Sequence, residues 1–181
     1  MKIIGIIPAR YGSSRFPGKP LVQIEGKSMI QRVYEQALKS SRLDAVVVAT
    51  DDVRIADEVS AFGGKFHLTS AAHQSGTDRC AEVIGKEENY DVVINIQGDE
   101  PYIDPSQIDL LISCFDASTV QLATLVKRIH KNEELFNSNI PKVVLNASYE
   151  AVYFSRQVIP FIRGKEKESW LDEHEFYKHI G

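Results

Sequence analysis

The sequence predicts a three-layer α/β/α fold in which helices cover both faces of a mostly parallel, mixed sheet. Two observations carry that prediction. Three short apolar runs, KIIGII (2–7), AVVVAT (45–50) and DVVINI (91–96), are continuous and β-branched rather than alternating, as strands covered on both faces are. Between them lie segments whose apolar residues recur at helical spacing, so strands and helices alternate along the chain. A chain of 181 residues is long enough for one such domain with a sizeable core.

Taken in order, the first strand over 2–7 is followed by a loop and then by a helical stripe over 28–39. Met29, Ile30, Val33, Tyr34, Ala37 and Leu38 share its apolar face, and Ser28 with Gln31 has the spacing of a capping box. After the strand over 45–50, a second helix spans 53–62 on Ile55, Val59 and Phe62, opened by Asp52 and stopped by Gly63-Gly64. A third runs from Thr77, its candidate N-cap, to about Lys86, ahead of the strand over 91–96. The second half is less regular. Segments 120–129, 142–146 and 150–155 read as further strands, some antiparallel, and KEKES (165–169) as a solvated charged loop. With no linker or repeat, the reading is one domain, 1–181, with a nucleotide-binding half over 1–115 and an appended arm over 116–181.

The formal charge of −4 leaves no global basic field, which argues against a nucleic-acid partner, so an anionic ligand must be held by local charge. Cys80 and Cys114 are isolated, without zinc spacing, and read as buried reduced thiols. No run reaches the ~20 apolar residues of a membrane span, and Pro8-Ala9-Arg10 does not resemble a signal cleavage site. The expectation is a cytoplasmic protein with no membrane partner.

The first strand leads into IPARYGSSRFPGKPL (7–21), which carries Arg10, Arg15 and Lys19 with backbone donors around Gly12-Ser13-Ser14. It is not a Walker loop: five residues rather than four separate Gly12 from Gly18, and Pro20 stands where the magnesium-binding hydroxyl belongs. It is not a dinucleotide fingerprint either, since there is no G-x-G-x-x-G, and Asp51 alone is a weak ribose signal. Three cations suit a triphosphate; a solvated surface loop with scattered charge is the alternative. QGDEP (97–101) follows the 91–96 strand, so both loops belong to the carboxyl edge of the sheet, where ligands bind in such folds. Asp99 there is either a turn cap or a metal ligand.

Four stretches, IPARYGSSRFPGKPL (7–21), TSAAHQSGTDRCAEV (69–83), INIQGDEP (94–101) and YFSRQVIPFIR (153–163), closely resemble the 3-deoxy-manno-octulosonate cytidylyltransferases, or CMP-Kdo synthetases, in order and spacing over essentially the whole chain. The IPAR-to-GKPL loop is shared with other sugar-activating cytidylyltransferases, whereas the SGTDR and QGDEP pair is more specific. The resemblance implies a nucleotide-diphospho-sugar transferase-like fold, Rossmann-like without G-x-G-x-x-G. It implies the reaction of CTP with Kdo to give CMP-Kdo and diphosphate, for lipopolysaccharide synthesis, with Mg2+ as cofactor. A cytidylyltransferase for another sugar acid of sialic type, or a non-catalytic nucleotide-binding paralogue, is the alternative.

By the same resemblance, Lys19, Arg10 and Asp99 are catalytic, with Asp99 the magnesium ligand and Lys19 the charge stabiliser at the α-phosphate. Pro8, Ala9, Arg10, Gly12, Ser13, Ser14, Lys19, Ser75, Gly76, Asp78, Arg79 and Gln97 meet the nucleotide, Arg79 having a buried ion pair as its alternative role. Gln97, Arg163 and His179 meet Kdo, with Arg156 the alternative to Arg163 for the sugar carboxylate. Glu100 is structural or supports Asp99, and His73 is a loop residue without a catalytic role. The partners implied are the two small substrates and a second copy in a homodimer joined through the 116–181 half, the sugar-binding half. Two departures stand out. By the resemblance, relatives continue beyond HIG (179–181) into a Tyr-containing strand and several dozen further residues, a part that carries a second magnesium-binding aspartate and further sugar contacts, so the C-terminus reads as incomplete, either a fragment or a truncated product. SNIPKVV (138–144) shifts a proline that relatives place differently, with Lys142 aligning with the family lysine.

Overall fold

Strand β1, Ile3–Ala9, is the spine of the first part of the chain in the computed structural model, which describes residues 1–12, 16–87 and 89–180. After it come β2 (Gln23–Ile24), β3 (Lys27–Ser28), α1 (Met29–Ala37), β4 (Ala45–Thr50), α2 (Val53–Ala61), β5 (Phe66–Leu68), α3 (Gly76–Ile84), β6 (Val92–Asn95) and α4 (Pro105–Ser113). Four strands form a parallel sheet in the order β5-β4-β1-β6, and β2 and β3 make a small antiparallel hairpin. Its two faces explain the continuous apolar runs. Ile3, Ile7 and Ala9 pack with α1, α2 and α4, whereas Ile4 and Ile6 pack with Cys80 and Val83 of α3. Both faces are thus buried, each large aliphatic contributing roughly 1.5–3 kcal/mol.

The helix ends follow local chemistry. Ser28 Oγ accepts from Gln31 N at 3.3 Å, but the Gln31 amide donates to Glu35 instead of turning back, so only half of the capping box forms. Leu38 lies past the end of α1 and is exposed, leaving the predicted stripe one residue early. Asp52 caps α2, and the chain leaves it through Gly63 at φ +77°. α3 starts before the predicted Thr77: Ser75, extended at φ −127°, is its cap, with Oγ accepting from Asp78 N at 3.1 Å. α4 is absent from the sequence reading, although Asp104-Pro105 supplies an N-cap and an N1 proline. Cys80 is buried, and burial pushes its thiol up to about 11. Cys114 is exposed, contrary to expectation, because it sits on the short turn that leaves α4.

The chain divides into two compact units, Met1–Gln121 and Leu122–Gly181, six residues beyond the predicted change of character at 115/116. The second unit holds β7 (Leu125–Arg128), α5 (Asn132–Leu135), β8 (Lys142–Leu145), β9 (Ala151–Ser155), α6 (Trp170–Glu173) and β10 (Tyr177–Ile180). Its strands form an antiparallel sheet in the order β7-β10-β8-β9. The predicted 120–129 strand shrinks to four residues. Ile129, Leu135, Trp170 and Phe176 form this unit's core. KEKES is not a free loop: Lys167–Ser169 closes into a 3-10 turn, and the indole N–H of buried Trp170 donates to Lys165 O at 3.1 Å.

Candidate functional site

The parallel sheet of the first unit has one topological switch point. From β1 the chain builds outward through β4 to β5, then returns through α3 to place β6 on the opposite flank of β1. Such a reversal leaves a crevice beyond the carboxyl ends of the two strands it separates. A cavity of about 670 Å³ lies there. Pro8, Ala9 and Arg10 border it from the end of β1, Lys19 from the opening loop, Ser75, Gly76 and Arg79 from α3, and Gln97 and Asp99 from the loop after β6. Nine of the thirteen residues assigned to the nucleotide, to catalysis or to the metal in the first unit are therefore brought to one cavity from four chain segments. Ser13 and Ser14, like Arg15, lie outside the described residues. Gly12 and Asp78 are exposed and not on the cavity wall.

The opening loop is pinned at its base. Gly18 N donates to Tyr11 O at 2.9 Å, and Gly18 holds φ +72° with the Tyr11 ring 3.1 Å from where a Cβ would stand. The Arg54 guanidinium stands over that ring at 3.3 Å from its centroid, and Arg54 is in turn forked onto Asp52. This fixes the backbone from which Lys19 and Pro20 start a 3-10 turn. Opposite, Ile96 N extends the β1–β6 pairing to Ile6 O at 2.9 Å. Gly98 then crosses the strand end so closely that a Cβ would lie 2.8 Å from Pro8 O, which is why no side chain fits there.

The result is a meeting of residues eighty positions apart: Lys19 Nζ donates to Asp99 Oδ2 at 2.5 Å. Both groups remain partly open to solvent, at 36% and 52%. Beside them, burial first and the Asp99 charge second push the Glu100 carboxyl above its usual range, and of the two carboxylates Asp99 is the more exposed. Among the described residues no three His, Cys, Asp or Glu side chains gather as a metal cage.

The wall opposite is the start of α3. The Ser75 hydroxyl donates to Asp78 Oδ2 at 2.7 Å while accepting from Asp78 N, so Asp78 serves the cap, and Ser75 borders the cavity. Gly76 is packed against the Pro8 ring, where a Cβ would meet Cγ at 3.1 Å. Arg79, only 4% exposed, takes the ion-pair role that the sequence left open: it bonds Asp51 at 3.1 Å and the Thr69 hydroxyl, tying the ends of β4 and β5 to α3. Asp51 is thereby committed to Arg79.

Phe16 and Gln74, which the sequence did not single out, also border the cavity, as does His73, read there as a loop residue without a catalytic role. His73 is latched to Glu82 at 2.6 Å, and Glu82 also accepts from Ser70 N at 2.8 Å and Lys86 Nζ at 2.7 Å. The i,i+9 spacing of His73 and Glu82 joins a loop to a helix and has no periodicity that would expose it. The Lys86 ammonium, then the Ser70 N–H and His73, hold the Glu82 carboxyl down at about 2, against an ordinary 4.5. A depressed carboxyl stabilises the latch fully above about 4.5 and loses that contribution as pH falls towards 2. Amide-exchange protection at Ser70 should therefore drop across that window; unchanged protection down to pH 2 would show that Glu82 does not hold the loop.

In the second unit, Arg156 Nη1 donates to the carbonyls of Ser138 and Asn139, each at 3.2 Å, so it clasps the turn that carries the shifted proline. Arg163 is exposed. His179 shares a 2.7 Å hydrogen bond with the Thr124 hydroxyl and stands edge-on to Phe154, and burial lowers its pKa. Lys142 is 1% exposed and donates to the carbonyls of Asn137 and Ile140.

A family model described as cytidylyltransferase matches residues 4–181. The 3-deoxy-manno-octulosonate cytidylyltransferase of Parabacteroides distasonis is 58% identical over 186 aligned positions, which cover all of this chain and 73% of that protein. The enzyme of the same name from Bacteroides thetaiotaomicron is 56% identical with the same coverage. A solved structure of CMP:2-keto-3-deoxy-manno-octonic acid synthetase complexed with CTP superimposes at a TM-score of 0.92 with 44% identity, over all of this chain and 72% of that one.

Proposed function

The chain belongs to the cytidylyltransferase family, and from that premise we propose that it converts CTP and 3-deoxy-manno-octulosonate to CMP-Kdo and diphosphate in the cavity at the β1/β6 switch point. The observation that carries this reading is the convergence of Lys19 and Asp99 at 2.5 Å across eighty residues of chain, on a wall with Arg10. A cation and a carboxylate that meet at the mouth of a parallel sheet suit a triphosphate with its metal.

The anomeric hydroxyl of the sugar attacks the α-phosphorus in line, and diphosphate leaves from the opposite side. Such transfers need positioning and charge neutralisation rather than a covalent intermediate. Arg10 grips phosphate oxygens, and Lys19 meets the charge that builds at the α-phosphate. Ser75 and Gly76, at the start of α3, line the same cavity, and a helix N-terminus favours an anion. Pro8, Ala9 and Ser75, which line the cavity, read the cytosine amine and carbonyl through their backbone in this proposal.

Asp99 fits the magnesium that the family uses. Its Oδ2 already carries a cation, the Lys19 ammonium, and a single carboxylate suits an ion that takes its other oxygens from phosphate and water. Magnesium bound there would neutralise phosphate charge and orient the diphosphate as it leaves.

We assign the Kdo carboxylate to Arg163, since Arg156 is committed to the Ser138 and Asn139 carbonyls. Arg163→Ala should raise the KM for Kdo by roughly 10- to 100-fold, the value of one charge-assisted hydrogen bond, with the KM for CTP unchanged. Weakened CTP with Kdo untouched would take Arg163 out of the sugar site. The homodimer is supported by β9, an edge strand on which Val152, Tyr153 and Phe154 are all exposed; light scattering tests it. A cytoplasmic location is supported by the use of CTP. Diphosphate release with CTP plus Kdo, absent with UTP or without sugar, tests the reaction itself.

A further inference from the structure

We propose that Lys19 guards the metal position in the free protein: its ammonium occupies the Asp99 carboxylate until nucleotide phosphates draw it away, so a divalent cation enters with or after CTP and not before. The inference rests on the reading of Asp99 as the metal ligand and adds an order of events to it.

Three observations carry it. Oδ2 of Asp99 already holds a positive charge at 2.5 Å, so a cation coming to that carboxylate meets the Lys19 ammonium and must displace it or bear its repulsion. Among the described residues Asp99 belongs to no group of three or more acidic, imidazole or thiol side chains able to hold a metal and offset that displacement, and a hard cation that wants six or more oxygens is poorly served by one shared carboxylate. The pair is also easily exchanged. Both groups are open to solvent and the backbone of Lys19 is fixed by the Gly18–Tyr11 and Pro20 geometry, so only the flexible lysine stem has to move. A triphosphate brings several negative charges to that stem. Lys19 then exchanges its carboxylate for phosphate oxygens, and Asp99 is released in the same motion. The two partners of the resting ion pair thus become the two arms that hold the loaded nucleotide, one through phosphate and one through metal.

The test is a Mn2+ titration of the nucleotide-free protein followed by electron paramagnetic resonance. Lys19→Met should bind Mn2+ about two- to fivefold more tightly than the parent protein, the range expected from removing one exposed ion pair. Arg10→Met removes a charge from the same cavity wall but not the Asp99 partner, and should leave Mn2+ affinity unchanged. Equal affinity in Lys19→Met and parent, or an equal gain in Arg10→Met, would overturn the guarding role while Asp99 stayed a ligand. The double variant Lys19→Met, Asp99→Asn should lose the gain. If it binds as tightly as Lys19→Met alone, the metal-ligand reading of Asp99 is what fails.

Discussion

Lys19→Ala should lower kcat by about 100- to 1,000-fold, the scale seen when one preorganised charge is removed from a developing anion, while the protein melts close to its normal temperature. The two halves of that expectation have different origins. Catalysis suffers because the Lys19 charge acts on the phosphates most strongly as the bond to diphosphate breaks, so kcat falls more than CTP affinity. Stability is spared because Lys19 and Asp99 are both partly exposed, and such a pair contributes only about 0–1 kcal/mol. Steady-state kinetics alongside calorimetry checks both. A variant that unfolds early, or that loses CTP binding with kcat intact, would contradict the assignment.

Arg79→Met should do the reverse, destabilising the fold by about 3 kcal/mol, the low end for breaking a buried ion pair. Asp51 would keep its charge a fifth exposed with no partner, and the Thr69 hydroxyl would lose its donor. For a chain of this size that corresponds to a fall in melting temperature of about 6–12 °C. Because Arg79 joins β4, β5 and α3 beside the cavity, CTP binding should weaken as well, and stabilising osmolytes should restore part of it. Unaltered melting with weakened CTP binding would instead make Arg79 a direct nucleotide contact. The pair of variants thus separates the cation that does chemistry from the cation that holds the wall.

Much of the first unit was legible because its signals are local and periodic. The runs at β1, β4 and β6 are buried on both faces, and they read as unbroken apolar stretches for that reason. The cavity was legible from topology, since both loops follow strands that a parallel sheet must end on one side. What stayed hidden depends on contacts distant in sequence. Ser75 rather than Thr77 caps α3 because Gly76 is packed on Pro8, sixty-eight positions earlier. The His73–Glu82 latch and the Arg79–Asp51 pair join elements whose spacing follows no helical or strand period. In the second unit, β10 comes last in the chain yet pairs between β7 and β8, and an insertion of that kind leaves no mark in either strand's own pattern. The hydrogen bonds from Arg156, the alternative to Arg163 for the sugar carboxylate, to two backbone carbonyls were likewise illegible, since a lone arginine carries no sign of such partners.

The most direct test is diphosphate release by the protein supplied with CTP, Kdo and magnesium. The account predicts one diphosphate and one CMP-Kdo per CTP consumed, no product with UTP, and loss of both products in Lys19→Ala. CTP binding without diphosphate release, or equal turnover of a sialic-type acid in place of Kdo, would contradict it.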